Sequence, residues 1–326
     1  MTSLKPGFDK FGHEPWLNPD RKIYIAGHRG LAGSAIWRDL SGKGHANLIG
    51  WSSSELDLRD AKATMNAICQ EKPDVIIMAA ARVGGIVANS THPVEFLNEN
   101  IRIQTNVFEA AHAAQVPRLL FLGSSCIYPK YSEQPIKESA LLTGQLEESN
   151  NAYAIAKIAG VLQVQSYRKQ YGHKWISVMP TNLYGPGDNY NPDSSHVLAA
   201  LVRRFSEAVR DGANRVVVWG SGSPRREFLH SSDLARGVEF LLQNYDDLEP
   251  INLGAGMDIS IRELAELIAE ITGFQGEIIW DESKPDGTPR KLLDVSKIKN
   301  LGWEPLVDLR EGLEKTCKEY SEIMGI

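Results

Sequence analysis

The chain has 326 residues, 42% of them hydrophobic, long enough for one large α/β domain or for such a domain with a smaller lobe. Its net charge of −6 leaves no electrostatic footprint for nucleic acid. Cys69, Cys126 and Cys317 stand far apart with no C-x-x-C pair, which argues against a zinc site or a disulfide framework and fits a reducing compartment.

Residues 1–20, MTSLKPGFDKFGHEPWLNPD, are polar and broken by proline, without the apolar core of a signal peptide. They read as a loose tail or a partner-binding arm. No apolar run is long enough to cross a bilayer, so a soluble, cytoplasmic protein with no membrane partner is expected. From there strand and helix patterns alternate. Strands are expected at 23–26, 46–50, 75–80, 119–123 and 175–179, and helices at 33–40, 60–70, 95–114 and 153–171. Short apolar strands between amphipathic helices predict a doubly wound parallel sheet of the Rossmann type over residues 21–182. Beyond PTNLYGPGDNYNP the pattern becomes irregular. A helix at 197–210, a strand at 215–219 and a turn over GSGSPRREFLH precede a helix from SSDL that opens with a Ser/Asp cap. A strand at 250–253, a helix at 260–272, a strand near 278–280 and a terminal helix complete the chain. Residues 183–326 are expected to form a smaller α/β substrate lobe over the strand ends, with the 232–243 helix packing back on the first domain.

Two local patterns carry chemistry. In KIYIAGHRGLAGSAI, Gly27, Gly30 and Gly33 lie between an apolar strand and a helix. There the backbone can approach a pyrophosphate resting on the helix N-terminus. In NNAYAIAKIAG, Tyr153 and Lys157 share one helix face, one turn apart. A free tyrosine has a pKa of about 10, and a nearby ammonium is expected to draw it toward neutrality so that it can relay a proton. Ser124, ending the strand upstream, can hydrogen-bond the substrate oxygen that receives that proton. Arg29 in the glycine loop suits a 2′-phosphate, because guanidinium is planar and always charged. After the second strand, where NAD enzymes carry an acid, the chain reads GWSSSELDL, with Trp51 and three serines. This favours NADPH. Serine at position 53 brings no second cation to a 2′-phosphate and leaves room for some NADH use.

From about Lys22 onward, AGHRG, AAARVGGIVAN, FLGSSCIYPK, YAIAKIAG, MPTNLYGPGDN, REFLH and KPDGTPRKLLD resemble the extended short-chain dehydrogenase/reductase superfamily. Within it they resemble the GDP-L-fucose synthase family of GDP-4-keto-6-deoxy-D-mannose epimerase/reductases. The resemblance implies NADP(H) as cofactor, GDP-4-keto-6-deoxy-D-mannose as substrate, and epimerisation at C3 and C5 followed by hydride transfer to C4. It implies Ser124, Cys126, Tyr153, Lys157 and His196 as catalytic residues, with Cys126 as base and His196 as the opposing acid. Cofactor contacts carry over to Gly27, Arg29, Gly30, Leu31, Gly33, Asp57, Leu58, Ala80, Lys157, Pro180, Asn182, Leu183 and His196. Substrate contacts carry over to Asn182, Val197, Arg204, Trp219, Arg226 and Lys291, with the three cations at the diphosphate. Superfamily relatives also suggest a homodimer through the 95–114 and 153–171 helices, and no metal is expected. By spacing alone Cys126 would be a buried small hydrophobe, His196 a cap on the 197–210 helix and Ser124 a strand end. Two other readings are another nucleotide-sugar 4-reductase or epimerase, and a non-catalytic cofactor-binding protein. The second tends to lack the tyrosine or the lysine, and both are here.

Overall fold

The computed structural model describes residues 15–192, 194–284 and 286–325; residues 1–14 of the expected tail lie outside them. From the N-terminus, β1 (Ile23–Ala26) leads to α1 (Leu31–Gly42), β2 (Leu48–Ile49) to α2 (Ala61–Glu71), and β3 (Val75–Met78) to α3 (Ile86–Thr91) and α4 (Pro93–Ala113). Then come β4 (Arg118–Leu122), α5 (Asn151–Tyr171), β5 (Lys174–Pro180), β6 (Asn182–Tyr184) and α6 (Val197–Arg210). The rest runs through β7 (Arg215–Trp219), β8 (Arg225–His230), α7 (Ser231–Asn244), β9 (Ile251–Leu253), β10 (Asp258–Ser260) and α8 (Ile261–Thr272). It closes with β11 (Glu277–Asp281), β12 (Arg290–Lys291), α9 (Ser296–Asn300) and α10 (Leu309–Met324).

Six strands form one sheet in the order β2-β1-β3-β4-β5-β9, and every pairing in it is parallel. The apolar runs IYIA, VIIM and RLLFL are buried along their whole length, as a sheet covered on both faces requires. Strand order reverses between β1 and β3, and ligands of open α/β sheets bind outside the strand ends at such a switch point. The helices stop where their chemistry tells them to. Asp60 accepts from the Ala63 N–H at the start of α2, Ser260 and Glu263 close a capping box on α8, and Gly172 ends α5 in the left-handed region.

The later half does not form one separate lobe. β9 is the sixth strand of the main sheet, pairing Val178 with Ile251. α7 packs along α1, and its Leu234, Val238, Leu241 and Leu242 join the main core. A second apolar core joins α6, α8 and α10 through Phe205, Leu264, Ile268 and Leu313. Beside it, β8 pairs with β10, β12 and β6. The RREFLH segment, expected as part of a turn, is therefore the central strand of a small sheet. Its polar composition hides it, and partners distant in sequence create it. The cap of α7 also differs from expectation: the His230 imidazole, rather than a serine or aspartate, accepts the Ser232 N–H at 3.3 Å. Asp233 instead accepts the Leu306 and Val307 N–H groups. Residues 15–20 are not loose. Leu17 is buried, and the Trp16 N–H donates to Gln243 Oε1 at 2.8 Å.

One buried cation ties β4 to α7. Arg118 is 1% exposed, and its guanidinium donates to the Leu241, Leu242 and Tyr245 carbonyls that end that helix and to the Lys174 carbonyl. Arg118→Leu takes the guanidinium from these buried carbonyls, of which Leu241 keeps the Tyr245 N–H, so urea unfolding should show a loss of about 3 kcal/mol. A loss under about 1 kcal/mol would show that water replaces the guanidinium there.

Candidate active site

At the switch point the glycine turn brings backbone against backbone. A Cβ on Gly27 would stand 2.7 Å from the Ala80 nitrogen, and one on Gly33 would stand 2.1 Å from the Gly27 carbonyl oxygen. No side chain caps α1, whose N-cap is Gly30 and whose first residue is Leu31. An uncapped helix N-terminus under a side-chain-free turn fits the pyrophosphate of a dinucleotide. Arg29 lies at the rim, 70% exposed, with its guanidinium 3.9 Å from Glu55 Oε2. Glu55 is the acid that the serine-rich reading of this segment passes over. Both the side chain and the backbone N–H of Ser52 hydrogen-bond its carboxylate, and with Arg29 close by they hold its pKa low. The expected 2′-phosphate position thus carries one cation and one anion. Nearby, Asp57 is paired with Arg59 at 2.8 Å, and Leu58 packs on the main core.

The Ser–Tyr–Lys set comes together because α5 lies tightly on β4. A Cβ on Gly160 would stand 2.4 Å from the Phe121 ring. With α5 this close, the Lys157 ammonium is buried, donates to the Leu122 carbonyl at 2.8 Å, and sits 5.8 Å from the Tyr153 ring centroid. Burial lowers the Lys157 pKa to about 7. Burial and the Cys126 charge push the Tyr153 pKa up, with Ser124 acting the other way. This corrects the expectation of an ammonium-lowered phenol. Desolvation of the phenolate outweighs a lysine that is itself desolvated, so the structure holds Tyr153 as a protonated donor.

Cys126 sits one short turn past β4. Its N–H donates to Ser124 Oγ at 3.2 Å, which directs the hydroxyl and the sulfur from adjoining positions. Asn150 Nδ2 donates to the sulfur at 3.4 Å. Lys291, expected at the diphosphate, has its ammonium 3.6 Å from Cys126 Sγ. The cause is register. β12 runs beside β8 with Arg290 opposite Arg225 and Lys291 opposite Arg226. Arg225 and Arg290 both turn to Asp258 on one side. Arg226 and Lys291 are left on the other, where Arg226 senses the Cys126 charge. Asn150 is a site residue that sequence reasoning missed; its place just before the Tyr153 helix was the available signal.

Gly287 lies against Arg226, Asp286 holds Ser221, and the Lys284 ammonium stands 5.5 Å from the Trp219 ring. Arg204 also covers that ring at 5.5 Å and donates to the Val217 carbonyl. Trp219 is 48% exposed, and Val197, at the start of α6, is also exposed. Asn182 donates to the Glu227 carbonyl at 2.8 Å, Leu183 pairs with Leu229, and Pro180 ends β5 opposite Leu253. His196 precedes α6 and makes no cap bond to it. Its ring keeps solvent access, while the surrounding protein lowers its pKa by desolvation. The turn before it meets the active-site side of the chain, where the Gly85 N–H donates to the Ser194 carbonyl and α3 packs on the turn bearing Asn150. Among the described residues no cluster of histidine, cysteine and carboxylate could hold a metal ion.

A parallel sheet with a glycine turn at its switch point and a Ser–Tyr–Lys set at the next strand ends defines a dinucleotide-dependent epimerase or reductase of the extended short-chain type. Residues 23–254 match the model of the NAD dependent epimerase/dehydratase family, and the chain belongs to that family, within its group of GDP-L-fucose synthases. It is 57% identical to GDP-L-fucose synthase 1 of Arabidopsis thaliana, over 92% of this chain and 93% of that one. It is 50% identical to GDP-L-fucose synthase of Escherichia coli K12, over 93% and 97%. The fold matches the NADP-bound GDP-L-fucose synthetase from Naegleria fowleri with a TM-score of 0.87, at 31% identity over 94% of this chain and 95% of that one.

The Arg29–Glu55 pair makes a measurable claim about the rim. Glu55→Gln removes an anion beside the arginine, so titration calorimetry should show NADPH binding about threefold tighter with NADH binding unchanged. Equal changes for both cofactors would place Glu55 outside the phosphate's reach.

Proposed function

We propose that the protein is an NADPH-dependent 3,5-epimerase and 4-reductase that converts GDP-4-keto-6-deoxy-D-mannose to GDP-L-fucose. The observation that carries this is the setting of Cys126: a sulfur between the Asn150 amide and the Lys291 ammonium, one turn from the Ser124–Tyr153 pair. A 4-reductase alone would need the serine, tyrosine and lysine but no base at C3 and C5.

The substrate ketone at C4 acidifies the hydrogens on both neighbouring carbons. Cys126, as thiolate, takes the proton from C3 or C5, and the electron pair moves into an enolate. His196 returns a proton to the other face of the same carbon and so inverts it. Its lowered pKa eases that release. For reduction, Ser124 hydrogen-bonds the C4 oxygen and Tyr153 gives it a proton. NADPH, when bound, supplies the hydride. Gly27, Gly30, Leu31, Gly33 and Ala80 would hold its pyrophosphate and ribose side, with Arg29 at the 2′-phosphate. Asp57 and Leu58 would flank the adenine, and Lys157, Pro180, Asn182 and Leu183 would lie along the nicotinamide end. Arg226 and Arg204 suit the diphosphate as charge-assisted forks, Trp219 the guanine, and Asn182 and Val197 the sugar. Burial, with the Cys126 charge second, raises the Tyr153 pKa, so the phenol stays protonated as the acid of the reduction. We further read the protein as cytoplasmic, and as a homodimer through α4 and α5. On α5, Ile155 and Leu162 stand exposed seven residues apart, a stripe that a second copy would cover.

Incubation with GDP-4-keto-6-deoxymannose and NADPH tests the reading through absorbance loss and sugar identification; a product other than GDP-L-fucose overturns it. Tyr153→Phe should lower NADPH oxidation at least about 100-fold while cofactor binding persists. Turnover near the parent rate would remove the tyrosine from the proton step. Cys126→Ser should slow hydrogen exchange at C3 and C5 far more than it weakens substrate binding, whereas unchanged exchange would remove the sulfur.

A further inference from the structure

The register of the small sheet gives Lys291 a task apart from the diphosphate. We infer that Lys291 is a positioning residue for Cys126: its ammonium holds the sulfur as thiolate, ready to take a proton from the sugar a first and then a second time. The inference rests on the epimerase reading above and deepens it.

The backbone around Lys291 is pinned on both sides. Arg290 is fixed to Asp258, the Leu292 N–H donates to Gln134 Oε1 at 2.9 Å, and the Leu293 N–H donates to Glu227 Oε2 at 3.0 Å. Glu227 is fully buried and also accepts the Gly256 N–H, so it locks the strand to β8 and to the chain leaving β9. With Arg290 and Leu292 both held, Lys291 between them has little freedom to move. Among the described residues the Lys291 ammonium pairs with no carboxylate, and the thiol is its polar partner.

The other charges around the sulfur are accounted for. Arg226, on β8, also feels Glu147 and Asp286, and it spends one N–H on the Arg225 carbonyl. Glu147 is itself paired with Lys130 at 2.8 Å. From α5 come Tyr153, held protonated, and Lys157, bound to the Leu122 carbonyl. An ammonium within hydrogen-bonding reach of sulfur favours the anion.

The proton balance explains why two inversions need this aid. When the carbon–hydrogen bond at the first centre breaks, its proton goes to Cys126 and its electron pair to the enolate. The enolate carbon then takes a proton from His196. Cys126 is left as thiol and His196 as neutral imidazole. Before the second centre reacts, the thiol must lose its proton to solvent and the imidazole must regain one. Lys291 favours the first of these resets.

The test is alkylation of the apo protein by iodoacetamide between pH 5.5 and 10, with each cysteine followed separately by peptide mass. In Lys291→Met the pH midpoint for Cys126 should rise by about one unit or more, with a roughly tenfold slower rate at pH 7. Lys291→Arg should restore most of the parent profile. Cys69, far away on α2, reports folding by keeping its parent profile; if Lys291→Met fails that control, Lys291→Gln carries the same expectation. GDP binding, measured by calorimetry, should change less than about twofold. An unchanged Cys126 midpoint overturns the inference, and if GDP binding is lost as well, the lysine belongs to the diphosphate. Failure of the epimerase reading looks different: the parent protein forms no GDP-L-fucose while the alkylation profiles still separate.

Discussion

The turn that follows β4 is the constraint on which the site depends. Because the Ser124 hydroxyl accepts the Cys126 N–H, hydroxyl and sulfur cannot be set independently. Ser124 acts on the Tyr153 phenol, and Asn150 and Lys291 approach Cys126. The hydroxyl suited to holding a ketone and the sulfur suited to deprotonating its neighbours are thereby held within one turn of chain. A carbonyl compound bound once can meet both. That economy comes from a parallel strand followed by Gly-Ser-Ser-Cys, with α5 pressed closely enough against it for Lys157 to reach its last carbonyl.

Alternation along short strands supplies the other half of the pocket. Two basic pairs, Arg225–Arg226 and Arg290–Lys291, lie side by side in parallel register. Opposite side-chain directions send one member of each pair to Asp258 and leave the other toward the sulfur. The buried carboxylate of Glu227, satisfied by backbone donors and not by a cation, keeps that register in place. A slip of one residue would exchange structural and site-facing charges on both strands.

The long elements were legible in the sequence because period and caps declare them: the parallel strands, the helices bearing Tyr153 and Val197, and the glycine turn. What escaped was made by contacts distant along the chain. The strands β6, β10 and β12 have two or three residues each and exist through their pairing with β8. The return of β9 to the main sheet blurred the expected division at residue 182 for the same reason. Within the candidate site, spacing marked Ser124, Tyr153 and Lys157, and the structure brings them together at the end of β4. The direction of the tyrosine's titration was not readable, since burial decides it and spacing cannot report burial. The nearness of Lys291 to Cys126 was not legible, because strand register lies outside any local pattern. Glu55 was overlooked because a Ser52 cap turns it back toward Arg29.

The claim that one pocket performs both chemistries is tested most directly by running the complete reaction in deuterium oxide and locating label in the product by mass spectrometry and NMR. The account predicts solvent deuterium at C3 and at C5, with C4 carrying the unlabelled hydride from NADPH. A product labelled at neither C3 nor C5 would contradict it and leave a reductase alone.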